Sequence, residues 1–154
     1  MKLYPCHVLF IHRDADQQPR LRRVEEILKA KARSKQRTTP SICVVPVRMT
    51  EAWLLGDEDA LRWAAGNPNG KAPLAMSVGN PEAIPNPKGL LNDLLVEASE
   101  LTGRRRKKFR ARAGECVLRL AVRIANFSAL RALPAFGAME AELVGLLSER
   151  GWAH

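Results

Sequence analysis

The chain has 154 residues, 46% hydrophobic and 27% charged, a balance that is ordinary for a globular protein and fits one domain with a core. Lys and Arg number 25 against 16 Asp and Glu, a net charge of +9 that attracts polyanions, nucleic acid above all. The three cysteines, Cys6, Cys43 and Cys116, show neither CxxC nor Cys/His ligand spacing, which argues against a structural zinc site. No apolar run is long enough to span a bilayer and the first residues lack a signal-peptide core, so the expectation is a cytoplasmic, reducing setting and no membrane.

In chain order, the apolar run His7 to His12 predicts a strand that ends at Asp14 and Asp16. Pro19 suits the first position of a helix, and Leu21, Val24, Ile27 and Leu28 follow at helical spacing with arginines and lysines outside. Pro40 closes that stretch. Ile42 to Val47 predicts a second, short or edge strand, because Pro46 has no amide proton to donate to a ladder. Strand, helix, strand in this order predicts a parallel βαβ unit.

Thr50 is a candidate cap for a helix from Glu51 to about Ala65, kinked at Gly56-Asp57, with Trp53, Leu54, Leu61 and Trp63 as its apolar surface. Residues 66–89 hold five of the ten prolines and four asparagines and predict a long loop of the lid or disordered kind. The rest is helical. Asn86-Pro87 opens a helix striped by Leu90, Leu91, Leu94, Leu95 and Ala98, with Gly103 as its stop. Val117, Leu120 and Ile124 mark another helix, and Pro134 opens a last one. The fold class predicted is α/β, a single domain over 1–154. A small parallel, Rossmann-like sheet with a βαβ start comes first, followed by a mostly helical half over 87–150. Two strands are few for so many helices, so the expectation includes a hidden strand, a homo-oligomer, or a partner chain that completes the sheet.

The acids carry the chemistry. Asp14 and Asp16 are two apart at the carboxyl edge of a strand, and a continuing strand would turn both to one face. Mg2+ (or Mn2+) is the ion such a pair takes, with waters and substrate phosphate filling the remaining positions. Glu51 follows the second strand as Asp14 follows the first, and is the third candidate ligand. The competing readings are neutralisation of the pair by His12 and Arg13, helix capping, and a macrodipole role for Glu51. The word His12-Arg13-Asp14 matches a kinase catalytic loop, but no Gly-rich loop or Asp-Phe-Gly is present and Pro19 stands where Asn is needed. His12 itself reads as a strand-edge packing residue more than as a general base.

Arg104, Arg105, Arg106, Lys107, Lys108, Arg110 and Arg112 form a basic cluster suited to a phosphate backbone. The alternative is a solvated turn. Phe109 is the only interleaved aromatic, so recognition would be of backbone, not of sequence. Lys88, near a helix start, is a further phosphate-contact candidate.

Ile11-His12-Arg13-Asp14-Ala15-Asp16 and Pro46-Val47-Arg48-Met49-Thr50-Glu51-Ala52-Trp53-Leu54-Leu55 resemble an uncharacterised bacterial Toprim-like family, as do Asn86-Pro87-Lys88 and Phe127-Ser128-Ala129-Leu130-Arg131. That family is similar to the Toprim part of OLD-type nucleases and is linked with phage defence. The resemblance implies a DxD pair at Asp14 and Asp16 holding Mg2+ for phosphodiester chemistry. It also implies an earlier strand bearing a glutamate. Seven residues precede Val8 and none is Glu. A truncated relative, a partner that supplies the strand, and a different use of Glu51 all remain open. The two functions expected are a metal-dependent, nuclease-like enzyme with Asp14, Asp16 and Glu51 as catalytic residues, and a non-catalytic nucleic-acid-binding or regulatory module that pairs with another chain.

Overall fold

The computed structural model describes residues 6–35, 38–47, 49–76 and 80–152. Arg48 of the second motif and residues 77–79 of the Pro/Asn-rich loop lie outside that set. The elements in order are β1 (Leu9–His12), α1 (Arg20–Ala32), β2 (Ser41–Val44), a 3-10 turn (Thr50–Leu54), α2 (Glu58–Ala64), a 3-10 turn (Pro81–Ala83), α3 (Pro87–Ala98), α4 (Gly103–Arg110), a 3-10 turn (Ala113–Glu115), α5 (Cys116–Arg123), a 3-10 turn (Ser128–Ala132) and α6 (Pro134–Glu149). The result is a mixed α/β protein with a helical C-terminal half. The chain divides into two compact units, residues 1–48 with 130–154, and residues 49–129.

The first unit holds both strands. β1 and β2 pair in parallel, with Leu9 beside Ser41 and His12 beside Val44. The ladder runs past the strand ends, since Arg13 N donates to Val44 O at 3.0 Å and Ala15 N to Pro46 O at 2.9 Å. Pro46 accepts but cannot donate, so pairing stops there. α1 lies on the face that carries Ile11, Cys43 and Val45, with Val24 and Ile27 as its contribution. By alternation, Phe10, His12 and Ile42 face the other way. α6 packs against β2, and its Glu142 does two things there. One carboxylate oxygen accepts from the Cys43 amide at 2.9 Å and the other pairs with Arg20 at 2.6 Å. Two strands cover little: Phe10 is 57% exposed and Leu21 73%.

The second unit is helical and densely cored. Leu91, Leu94, Leu95 and Ala98 recur at one-turn spacing on α3 and are wholly buried against Leu61, Ala64, Phe109 and Leu120. Each buried leucine contributes about 1.5–3 kcal/mol. Asn86 caps α3 by accepting from Gly89 N at 2.9 Å, with Pro87 in the first turn. The predicted helix over 51–65 divides at Gly56-Asp57, because Asp57 accepts from Ala60 N and starts α2 afresh. Met49 takes the cap position and Thr50 is the first residue of the 3-10 turn itself. Gly103 does not stop α3, which ends at Ala98; with φ of +52° it opens α4.

The first part of the Pro/Asn-rich loop is pinned. Arg62, 5% exposed, binds Glu58 at 2.6 Å, Glu100 at 3.5 Å and the Ala72 carbonyl at 2.7 Å. Glu100 in turn accepts from the amides of Lys71 and Ala72. Gly70 fits because a Cβ there would stand 2.5 Å from Asn67 Nδ2 and 2.6 Å from Glu100 Oε1. No helix among the described residues is long and apolar enough to cross a membrane.

Candidate functional site

The β1–α1 connection carries the first candidate site. Asp14 lies one alternation beyond His12, on the same side of the extending strand, and His12 Nε2 stands 3.1 Å from Asp14 Oδ1. Asp16 does not continue the alternation. It and Gln17 adopt left-handed backbone, with φ of +49° and +66°. That turn leaves the Asp16 side chain 70% exposed and 3.8 Å from Arg23 of α1. Arg23 also donates to the Ala15 carbonyl at 3.1 Å and to Glu26 at 3.0 Å. The hydrogen bond to Glu26 holds that carboxyl below the ordinary glutamate range. The two aspartates therefore engage different partners, a histidine of the strand and an arginine of the helix. Arg13, the other cation expected to neutralise them, pairs with Glu26 at 2.9 Å.

Glu51 sits in the 3-10 turn of the second unit. Among the described residues no group of three His, Cys, Asp or Glu side chains is placed to hold a metal ion. The described donors do not fit a three-carboxylate centre. Two carboxylates remain within the number Mg2+ uses, but a guanidinium beside Asp16 competes for the same charge. A cavity of about 440 Å³ opens beside the same connection, lined by Ala15, Gln18, Arg20, Val45 and Pro134. Neither aspartate lines it.

The second candidate site is α4. Arg104, Arg105, Lys107, Lys108 and Arg110 are exposed and Arg106 is half-buried. Arg110 pairs with Asp93 at 2.7 Å. Among the described residues no acid lies within salt-bridge range of the other five. The first turn of α4 holds no acid and three arginines, so side-chain charge adds to the positive end of the helix dipole. Phe109 does not stand ready to stack on a base: it is buried in the core. Helical spacing explains this, because the one apolar residue in Gly103–Arg110 is the one that anchors the helix. Lys88 is exposed in the first turn of α3, but Asn86 already takes the Gly89 amide that would face an anion.

Sequence reasoning missed an aromatic–cation cluster on the same unit. Trp63 of α2 is 37% exposed, with the Arg119 guanidinium carbon 5.2 Å and that of Arg123 5.5 Å from its ring centroid. The i, i+4 spacing of the two arginines on α5 is the signal that finds it. Burial pushes the thiols of Cys43 and Cys116 up from their ordinary values.

Comparison with family models, with curated proteins and with solved structures gives no match.

Proposed function

We propose that this protein binds nucleic acid through the phosphate backbone, with α4 as its main binding surface. The observation that carries this reading is the concentration of charge. Between Arg104 and Arg123 there are nine cations and one acid, Glu115. Three arginines crowd the positive end of a helix, which costs the isolated protein electrostatic energy that a bound polyanion offsets. Exposed cations without acidic partners suit phosphate and do not read base edges.

Binding of a labelled oligonucleotide across a salt series tests this. Engagement of roughly four phosphates gives a log–log slope of about −3 to −4. Charge reversal at Arg104, Arg105 and Lys108 weakens binding and flattens the slope by about 1 for each phosphate no longer neutralised. A wild-type affinity that ignores salt would overturn the reading.

A metal-dependent, phosphodiester-directed activity of the nuclease kind, Toprim-related and linked with phage defence, is the second reading. What favours it is the position of Asp14 and Asp16 at the carboxyl end of β1, where open α/β sheets hold ligands. Mg2+ or Mn2+ is the ion that pair would take, with waters and substrate phosphate filling the remaining positions. Melting raised by millimolar Mn2+ in the wild type, and unmoved by it in the Asp14→Asn/Asp16→Asn chain, supports this. Identical behaviour of the two chains counts against it.

A further inference from the structure

We propose that Trp63, Arg119 and Arg123 form a stacking site for an unpaired base of single-stranded nucleic acid. The inference rests on the backbone-binding reading and adds to it an interaction that phosphate alone does not provide. The indole is held by two guanidinium groups yet keeps more than a third of its surface open. A large aromatic left partly exposed on a helix that buries its neighbours Arg62 and Ala64 offers open ring surface to a ligand. Nucleobases stack on indole and on planar guanidinium alike, and do so whatever their sequence. Packing on the ring also fixes both arginine side chains before a ligand arrives, so less rotamer freedom is lost when they meet flanking phosphates.

Arg119 belongs to a second feature as well. It lines a cleft of about 450 Å³ together with Arg112, Ser99, Gly66, Phe109 and Cys116. That volume lies inside the range of about 300–1,000 Å³ typical of ligand pockets. Arg112 extends the basic run of α4 into this cleft, where Glu115 is the single acid. The charge complementarity is therefore to a polyanion, and the aromatic surface is to a base. Only a strand whose bases are unpaired presents both together.

The experiment compares two oligonucleotides of equal length and charge, an oligothymidylate and its abasic counterpart, binding to the full chain. Stacking predicts that the wild type prefers the base-bearing strand by about tenfold. Trp63→Leu removes the preference, bringing the base-bearing and abasic strands to the same affinity, while the salt slope stays that of the wild type. As a check independent of that variant's folding, emission from a Trp152→Phe chain is quenched by oligothymidylate and not by the abasic strand. Equal affinity of the wild type for both strands overturns the stacking site and leaves backbone binding standing. Failure of both strands to bind overturns the backbone reading and the stacking site with it.

Discussion

The two units differ in how their described cores are built. The helical unit gathers sixteen residues into one buried cluster around α3. The strand-bearing unit has a cluster of Ala15, Ile27, Cys43 and Val45, with Ile11 and Val24 half-buried beside it. Ile42, Leu130, Leu133 and Phe136 are buried in this unit as well, and both units leave apolar side chains open to solvent, Phe10 and Leu21 in this one and Leu118 and Val122 in the helical one. The difference follows from geometry. A helix such as α3, packed by other helices, buries most of its apolar residues, while a two-stranded sheet has too little area to cover the helices packed on it. Stability should therefore concentrate in the helical unit.

The largest test of that contrast is truncation in each core. Leu95→Ala should cost about 4 kcal/mol, and Ile27→Ala, where a smaller core can collapse, about 2 kcal/mol, both read by denaturant unfolding. Equal losses would break the comparison. Arg62→Ala comes next, at about 2 kcal/mol, because it strands the Ala72 carbonyl and two carboxylates. Gly70→Ala should cost about 1 kcal/mol, since its methyl pushes into the Asn67–Glu100–Arg62 cluster. Amide exchange in 66–72 that stays unchanged in the alanine variant would show that the cluster gives way freely.

Acid sharpens the same point. Two loop amides, that of Ala72 foremost, hold the Glu100 carboxyl below its ordinary value of 4.5. The group is easier to deprotonate in the folded chain, so its stabilisation is fully present above that value and is lost as the pH falls through the lowered one. Glu100→Gln should flatten the acid limb of a stability–pH curve. An unaltered limb would place the acid sensitivity elsewhere. The smallest effect concerns thiols: at neutral pH a soluble disulfide reagent should label the exposed Cys6 quickly and the buried Cys43 and Cys116 only on unfolding. Rapid labelling of Cys43 would mean that the strand-bearing unit opens more readily than its burial implies.

Most local structure was legible in the sequence. The α3 stripe, the Asn86-Pro87 start and the Pro134 start are written in neighbouring residues, and the structure has them. What escaped was set by distant partners. The sequence puts Trp63 on the apolar surface of its helix, yet it is half-open and its neighbour Arg62 is buried, because Glu58, Glu100 and Ala72 together satisfy a guanidinium. The aspartate pair shows the same limit. Spacing two suggests one face, but the left-handed backbone at Asp16 and Gln17 redirects it toward Arg23, and although aspartate tolerates that conformation its type does not say where the chain turns. The return of α6 to the strands, over a hundred positions from β1, has no local signature at all.

Glu142 has a consequence for how the sheet can grow. Its carboxylate occupies the outward-pointing amide of Cys43, a donor that an incoming strand would need. Arg20 holds the carboxylate in place from the other side. β2 is in effect a sealed margin, so any third strand, whether designed or contributed by a neighbour, has to enter along β1, beside the uncovered ring of Phe10.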